Sequence, residues 1–356
     1  MSDENPSGQV ALRASSVAPQ DDILPPITEL PKQVPLRSLS FSDLLISPTG
    51  QARIRSPKTG EKLHRVPAAV VEDLEVLLQD ICQKALKHDE FQHEHDGVYY
   101  RVSRVPTEIE EWFAVRRMLD RVPRISELGL PGAVVRVLGN IGKRKGLILV
   151  AGRTGDGKTT TCSSLLQEYL NVYGGLGVTV EDPPEFPMQG EYQGGGGKCL
   201  QIRVMDGDFE TPLKKAMRWN PRFIMVGEIR SQPEASQLLR LANSGHVVLA
   251  TIHAGSVTQA LQSLLKLSAP GEGQIAFYQS LIADALAGVV HQTLTRTPGP
   301  EKGQNSIGLS LEYLFLGSEN KSTGTRAIIR NGNFAELSTE IERQRSQVMT
   351  GKMPVE

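Results

Sequence analysis

Short apolar runs alternate with longer segments of helical periodicity along the second half of the chain. Four short, largely apolar segments are candidate buried strands: 147–151, 177–181, 223–227 and 247–252. Helices are predicted directly after Lys158, directly before Pro221, and at 233–244, 258–267 and 276–294. Strands that alternate with helices predict the α/β class, with a parallel sheet between two helical layers. A further strand is predicted at 308–316 and a polar terminal helix at 334–348.

The first third of the chain has a different pattern, which predicts a small α+β domain. A hairpin is predicted at 51–66 around a turn at 57–60, a helix at 70–86, and strands at 97–105 and 112–118. Residues 1–36 are rich in Pro, Ser, Gln and acidic residues without sustained periodicity, which indicates a disordered tail.

The domain limits follow from these patterns. The N-terminal domain is placed at 37–128 and the second domain at 132–356, with a joint near Gly129 and Pro131. The four consecutive glycines at 194–197 are predicted to be a flexible insertion.

Composition narrows the classes of function. With a formal net charge of −1, no global field draws the protein to nucleic acid or anionic lipid. Cys82, Cys162 and Cys199 have no metal-ligand or disulfide spacing and fit a reducing cytoplasm. The chain has no run of 18 apolar residues, so no membrane-spanning segment is predicted and work at a membrane would need a partner.

A phosphate-binding pattern lies between the first buried strand and the helix after it. Residues Gly152 to Thr159 match G-x-x-x-x-G-K-[ST] in full. Glycines let the backbone wrap a polyphosphate, Lys158 adds a cation, and the Thr159 hydroxyl is placed to bind Mg²⁺. The predicted cofactors are therefore ATP and Mg²⁺. The predicted nucleotide-binding residues are Gly152, Thr154, Gly155, Asp156, Gly157, Lys158, Thr159 and Thr160.

Two neighbouring strands end in carboxylates. Glu181 ends the run at 177–181, and Glu228 follows the run at 223–227. The carboxyl ends of parallel strands meet where ligands bind, so these acids are predicted to handle Mg²⁺ and water beside the phosphate loop. His253 follows the run at 247–252 and is predicted to emerge near the γ-phosphate.

These motifs together resemble the secretion and pilus-motor ATPases, the GspE/PilT family. Its Walker A, Asp box, Walker B and His box are similar to the phosphate loop, VTVEDPPEF, IMVGEIR and GHVVLATIHA, which occur here in that order. The resemblance implies a RecA-like P-loop domain with a parallel-rich sheet, preceded by a small α+β, PAS-like domain. It implies that Glu181 activates water and that Glu228 organises Mg²⁺ through water. It also implies that Arg101 and Arg116 reach the ATP of a neighbouring subunit in a homo-hexamer.

Two departures from the family pattern bear on the activity. Asp156 stands where the family usually has Ser, and Ser231 where an Asp commonly follows G-E-I-R. Because a carboxylate near a polyphosphate is unfavourable unless it points away or pairs with a base, Asp156→Ser is predicted to tighten ATP binding.

The resemblance implies a cytoplasmic hexameric ATPase that drives a type IV secretion or conjugation machine, or a type IV pilus. It would act at the inner membrane through platform or secretion-channel proteins, without direct contact to nucleic acid. The absence of a four-cysteine zinc insertion favours the compact PilT-like branch. Two alternatives stay open: a RecA-like nucleic-acid motor, and a non-catalytic nucleotide-binding adaptor motivated by Asp156 and Ser231.

Overall fold

An antiparallel sheet of six strands forms the N-terminal domain. The computed structural model describes residues 33–55, 62–119, 121–204, 207–298, 305–317 and 322–351. The strand order of the first sheet is β3-β2-β1-β6-β5-β4. Its strands are β1 (Asp43–Ile46), β2 (Ala52–Arg55), β3 (Leu63–Arg65), β4 (Glu90–His95), β5 (Val98–Pro106) and β6 (Glu111–Arg117).

One helix, α1 (Val71–Ala85), covers this sheet. Leu74, Leu77 and Ile81 recur at helical spacing and are buried in the domain core, which is why this segment is an amphipathic helix. The predicted α+β domain with its hairpin, helix and strands is confirmed. The predicted turn at 57–60 lies outside the described residues.

The predicted tail overlaps this domain at its last residues. The Val34 N–H donates a hydrogen bond to the Ala69 carbonyl at 2.9 Å, and the Leu36 side chain is fully buried. Residues 34–36 are therefore part of the folded domain. Residues 1–32 of the predicted tail lie outside the described part of the chain.

The second domain is built on a sheet of eight strands in the order β14-β13-β7-β12-β11-β8-β10-β9. The six strands from β13 to β10 run parallel, and β14 and β9 pair antiparallel at the two edges. The strands are β7 (Gly146–Gly152), β8 (Gly175–Glu181), β9 (Gly190–Tyr192), β10 (Gly197–Arg203), β11 (Phe223–Val226), β12 (Val247–His253), β13 (Leu286–Pro298) and β14 (Asn305–Phe315).

Eight helices of the described residues accompany this sheet. They are α2 (Gly132–Ile141), α3 (Lys158–Tyr173), α4 (Glu210–Met217), α5 (Gln232–Asn243), α6 (Val257–Ser268), α7 (Ile275–Ala285), α8 (Thr323–Arg330) and α9 (Leu337–Met349). Successive residues of β7 enter opposite cores: Leu147 and Leu149 pack with α5, α6 and α7, and Ile148 and Val150 pack with α2 and α3. Burial on both faces explains the continuous apolar runs, and the predicted α/β class with a parallel-rich sheet is confirmed.

The predicted helix at 276–294 is wrong in its second half. The helix α7 ends at Ala285, and the chain continues as β13, which pairs in parallel with β7 and antiparallel with β14. Val289, Val290 and Thr293 are β-branched and suit a strand, and pairing with the central strand β7 outweighs the local helical pattern.

Of the four glycines predicted to be a flexible insertion, those at 194–196 lie in the turn of a hairpin between β9 and β10, and Gly197 begins β10. A Cβ on Gly194 or Gly195 would lie 2.7 Å from the Asn171 carbonyl oxygen. Glycine is needed at both positions because the turn packs closely against the end of α3.

In the described part of the chain, every helix is too short or too polar to cross a bilayer.

Candidate active site

A cleft of about 500 Å³ lies between the two domains, beside the glycine loop that follows β7. This volume is in the range of small-molecule binding sites. Of the thirteen predicted site residues, ten line the cleft: Arg101, Arg116, Thr154, Gly155, Gly157, Lys158, Thr159, Thr160, Glu181 and Glu228. The other three, Gly152, Asp156 and His253, lie elsewhere.

The loop has the backbone that its glycines allow. Gly155 and Gly157 adopt left-handed conformations, with φ of 86° and 80°, and α3 begins directly after Gly157. The Lys158 side chain is buried, and its Nζ donates to the Arg153 carbonyl oxygen at 2.9 Å. The free N–H groups of the first turn of α3 and the lysine cation together make an anion-binding site.

Asp156 faces away from this anion-binding surface. Its side chain is 6% exposed, Oδ2 accepts the Arg153 N–H at 2.6 Å, and Oδ1 accepts the Leu294 N–H at 3.1 Å. The two hydrogen bonds of the carboxylate therefore hold the phosphate loop in its conformation and connect it to β13. This orientation keeps the carboxylate away from a bound phosphate, so the expected electrostatic repulsion does not arise. Asp156 therefore has a structural role that the sequence did not predict.

This role reverses the expected effect of Asp156→Ser. The serine side chain is too short to accept both backbone N–H groups, and each buried unpaired donor costs about 1–3 kcal/mol. We expect weaker ATP binding and a lower unfolding midpoint, measured by calorimetric titration and thermal unfolding. Asp156→Asn keeps the shape and one acceptor oxygen, so its effect should be milder. Tighter binding by the serine variant would show that charge repulsion dominates after all.

Gln292 is a second support of the loop. Its side chain is buried on β13, its amide nitrogen donates to the Asp156 carbonyl oxygen, and its amide oxygen accepts the Thr161 hydroxyl at 2.8 Å. The strand β13 passes so close to Gly152 that a Cβ at this position would lie 2.6 Å from the Gln292 carbonyl oxygen. This close approach gives Gly152 a packing role under the loop rather than a place in the cleft.

Glu181 is a buried carboxyl at the carboxyl end of β8. It is 2% exposed, and its Oε1 accepts a hydrogen bond from the Gln201 amide at 3.1 Å. Burial, with a smaller contribution from the charge of Glu185, raises the pKa of Glu181 above its ordinary value. A carboxylate with a raised pKa is a stronger proton acceptor, which suits a general base.

Glu228 follows β11 in a more open position. Its side chain is partly exposed, and its Oε2 accepts a hydrogen bond from Arg230 Nε at 2.6 Å. The hydrogen bond to Glu228 raises the pKa of the Arg230 guanidinium above its ordinary value. Arg230 also lines the cleft, and the sequence prediction missed it although it belongs to the quoted IMVGEIR segment.

Arg101 and Arg116 come from the N-terminal domain of the same chain. They lie opposite each other on the paired strands β5 and β6. Arg116 Nε donates to Asp43 Oδ1 at 2.8 Å, and an Arg101 nitrogen lies 3.7 Å from a Glu90 carboxylate oxygen. Burial would raise the pKa of Asp43, but hydrogen bonds from Arg116 and Ser42 hold it below its ordinary value.

The two domains also touch next to the buried acid. The Gln92 side-chain amide on β4 donates to the Pro184 carbonyl oxygen at 2.9 Å. Since Arg101 pairs with Gln92 in the sheet register, this contact fixes the arginine strand against the loop after β8. One chain thus brings both arginines to its own cleft, whereas the family resemblance implied that they reach the cleft of a neighbouring subunit.

His253 does not join the cleft. It ends β12 in register with Gly152, but its exposed side chain lies in a separate depression lined also by Arg153 and Gly255. The predicted position at the γ-phosphate therefore has no support in this conformation.

The second departure from the family pattern also has a structural explanation. Ser231 caps the N-terminus of α5, and the Glu234 carboxylate accepts the N–H groups of Arg230 at 2.7 Å and Ser231 at 3.0 Å. A serine is a preferred residue for such a capping box, so neither departure argues that catalysis is lost.

A strand, a glycine loop and a helix, with acids at the ends of two neighbouring parallel strands, define a P-loop nucleotide-binding protein. A family model described as "Type II/IV secretion system protein" matches residues 84–347. The chain belongs to this family, which confirms the predicted secretion and pilus-motor resemblance.

Two curated relatives illustrate the likeness. The chain is 29% identical over 236 residues to the type IV pilus ATPase PilU of Pseudomonas aeruginosa. This match covers 66% of this chain and 57% of that protein. It is 32% identical over 245 residues to a putative type II secretion system protein E of Escherichia coli. This match covers 67% of this chain and 47% of that protein. The chain thus spans about half the length of the curated relatives it matches.

Solved structures show the same fold. The pilus retraction motor PilT, a structure with bound ADP, matches with a TM-score of 0.70 and 23% identity over 86% of this chain and 87% of that chain. The ATPase DotB of Legionella pneumophila matches with a TM-score of 0.61 and 20% identity over 89% of this chain and 93% of that chain.

Proposed function

We propose that this chain is an ATPase that converts ATP hydrolysis into movement of its N-terminal domain against its P-loop domain. One observation carries the proposal: a single cleft between the domains holds the phosphate-loop lysine, a buried carboxyl and two arginines. These are the parts that phosphoryl transfer to water needs, since catalysis there depends on positioning and on stabilising charge.

Each part has a role that its position supports. Lys158 and the N–H groups at the start of α3 bind the β- and γ-phosphates. Glu181 accepts a proton from the attacking water, which its raised pKa favours. Arg101 and Arg116 balance the negative charge of the γ-phosphate. When the arginines contact the nucleotide, the N-terminal domain is drawn onto the P-loop domain, and loss of the γ-phosphate releases it.

The donor atoms at the cleft fit Mg²⁺. Thr159 offers a hydroxyl and Glu228 a carboxylate, and this ion prefers oxygen ligands and retains several waters. Thr159 would bind the ion directly and Glu228 through water. When bound, Mg²⁺ neutralises charge on the β- and γ-phosphates.

The biological setting is proposed from the family. A homo-hexamer at the cytoplasmic face of the inner membrane, working with platform or secretion-channel proteins, fits a type IV secretion or conjugation machine or a type IV pilus. The named relatives include a type IV pilus ATPase and a putative type II secretion system protein.

Phosphate release by the purified chain tests the proposal. We expect turnover with Mg²⁺, loss of turnover in EDTA, and no stimulation by DNA, because the net charge of −1 offers no field for nucleic acid. Stimulation by DNA that weakens with salt would favour the nucleic-acid motor. ATP binding without turnover would favour the adaptor.

A further inference from the structure

A cluster of two histidines and two carboxylates lies in the N-terminal domain, away from the cleft. Asp73 and Asp80 are on α1, and His93 and His95 are on β4. Residues seven apart share a helix face, and residues two apart share a strand face, so the four side chains meet where α1 packs on β4. The candidate ligand atoms of Asp80, His93 and His95 all lie within 4.8 Å of one another.

The buried nitrogen of His93 has no hydrogen-bond partner among the described residues. The residue is 4% exposed, and its Nε2 lies 3.6 Å from Asp80 Oδ2, beyond hydrogen-bond distance. An unpaired buried polar atom costs free energy, so such an atom in a folded protein calls for an explanation. Once Nε2 has lost its proton, a cation bound between it and the Asp80 carboxylate would supply the missing partner.

Asp73 prepares His95 to bind a metal. Its Oδ1 lies 2.8 Å from His95 Nε2, and its Oδ2 accepts the Leu36 N–H at 2.6 Å. When Nε2–H donates to Asp73, the lone pair of His95 remains on Nδ1. A carboxylate that orients a ligating histidine through its other ring nitrogen is a regular feature of metal sites.

We propose that Asp80, His93 and His95 bind a divalent transition metal of the Zn²⁺ type, with Asp73 as the residue that positions His95. Two imidazoles and one carboxylate are a zinc-like donor set, and a water completes the tetrahedron. Bonds of about 2.0–2.1 Å place tetrahedral ligand atoms roughly 3.4 Å apart. The His93 Nε2–Asp80 Oδ2 distance of 3.6 Å is already close to this value, and the other pairs lie within 4.8 Å.

The metal would join α1 to β4, the strand that pairs with the arginine strand β5. It would therefore stabilise the N-terminal domain as a rigid body. This role is independent of nucleotide chemistry, and the proposal does not depend on the function proposed above.

The hydrogen bond that Lys84 makes in the metal-free protein competes with metal binding. Its Nζ lies 2.9 Å from His93 Nδ1, and the residue as a whole is exposed. An ammonium that donates to Nδ1 keeps the ring proton on Nε2, where the metal would bind. Because Lys84 is exposed, it can swing into solvent, but its charge and its hydrogen bond lower the affinity for a cation.

Titration of the full chain with Zn²⁺ against a chelating indicator tests the proposal, with Co²⁺ absorption as the second measurement. We expect one Zn²⁺ per chain at this site, a tetrahedral Co²⁺ spectrum, and a rise in the unfolding midpoint with Zn²⁺. Asp73→Asn should weaken binding about 10–100-fold, as loss of an orienting partner does. Asp80→Asn should weaken it at least as much, and Lys84→Ala should strengthen it.

His88→Asn is the matched control, because His88 is an exposed histidine between α1 and β4 that is not a member of the cluster. It should bind Zn²⁺ like the wild type. Asp80 is also exposed, so Asp80→Asn should fold normally and its thermal unfolding without metal should match the wild type. Equal Zn²⁺ affinity and equal Co²⁺ spectra in wild type, Asp80→Asn and Lys84→Ala would overturn the proposal, as would the absence of Zn²⁺ binding.

Discussion

Glu181→Gln is expected to bind ATP like the wild type while kcat falls by about 10²–10⁴-fold, the usual cost of losing a general base. The substitution keeps the volume of the side chain and an oxygen that can accept the hydrogen bond from Gln201. It removes the carboxylate that would take a proton from water. Nucleotide titration and steady-state phosphate release separate the two effects.

The pH dependence of kcat gives a second measurement. Burial raises the pKa of Glu181, so the wild-type rate should fall as the pH falls through that raised value. The glutamine variant should lack this limb. Glu185→Gln is the matched control, because Glu185 is an exposed acid lining the same cleft and should retain most of the turnover.

Stability shows whether activity is lost through chemistry or through unfolding. A carboxyl whose pKa is raised on folding stabilises the folded state most below the unfolded pKa, and this contribution is lost as the pH rises through the folded pKa. At pH 8, Glu181→Gln should therefore unfold at the same or a higher temperature than the wild type. If Glu181→Gln keeps full turnover while Glu228→Gln loses it, the roles of the two acids are reversed.

The strands and the phosphate loop could be predicted because each depends on residues that are adjacent in the sequence. Consecutive apolar residues are typical of a strand in a parallel sheet that is buried on both faces, so the strand can be recognised from its own sequence. The match from Gly152 to Thr159 likewise carries its own backbone requirement, and the left-handed Gly155 and Gly157 show it. Local rules suffice for such elements.

The errors arose where distant residues decide the structure. The segment after Ala285 has residues that tolerate both helix and strand, and pairing with β7 makes it a strand. Reading it as a helix hid Gln292, whose strand position brings its side chain under the phosphate loop. The orientation of Asp156 was unpredictable for the same reason, since one of its donors is Leu294 on that strand.

For Arg101 and Arg116, the motif spacing identifies the residues but does not predict whether they act in the cleft of their own chain or in that of a neighbour. The structure places Arg101 and Arg116 at the cleft of their own chain, so we propose that they act there. Arg101→Ala and Arg116→Ala are each expected to bind ATP nearly normally and to lose about 10³–10⁵-fold in kcat. Arg104→Ala is the control on the same strand, because Arg104 pairs with Glu111 and does not line the cleft.

Mixing two inactive variants decides whether the site belongs to one chain or is shared by two. Arg116→Ala lacks the arginine, and Lys158→Ala lacks the phosphate-loop cation. If the arginine acts within its own chain, every chain in the mixture is defective and turnover stays at the level of the separate variants at all ratios. If it acts on a neighbour, some interfaces join an intact loop to an intact arginine and activity rises. Labelled wild-type chains must exchange under the same conditions, and with that exchange shown, a clear gain of activity would refute the single-chain site.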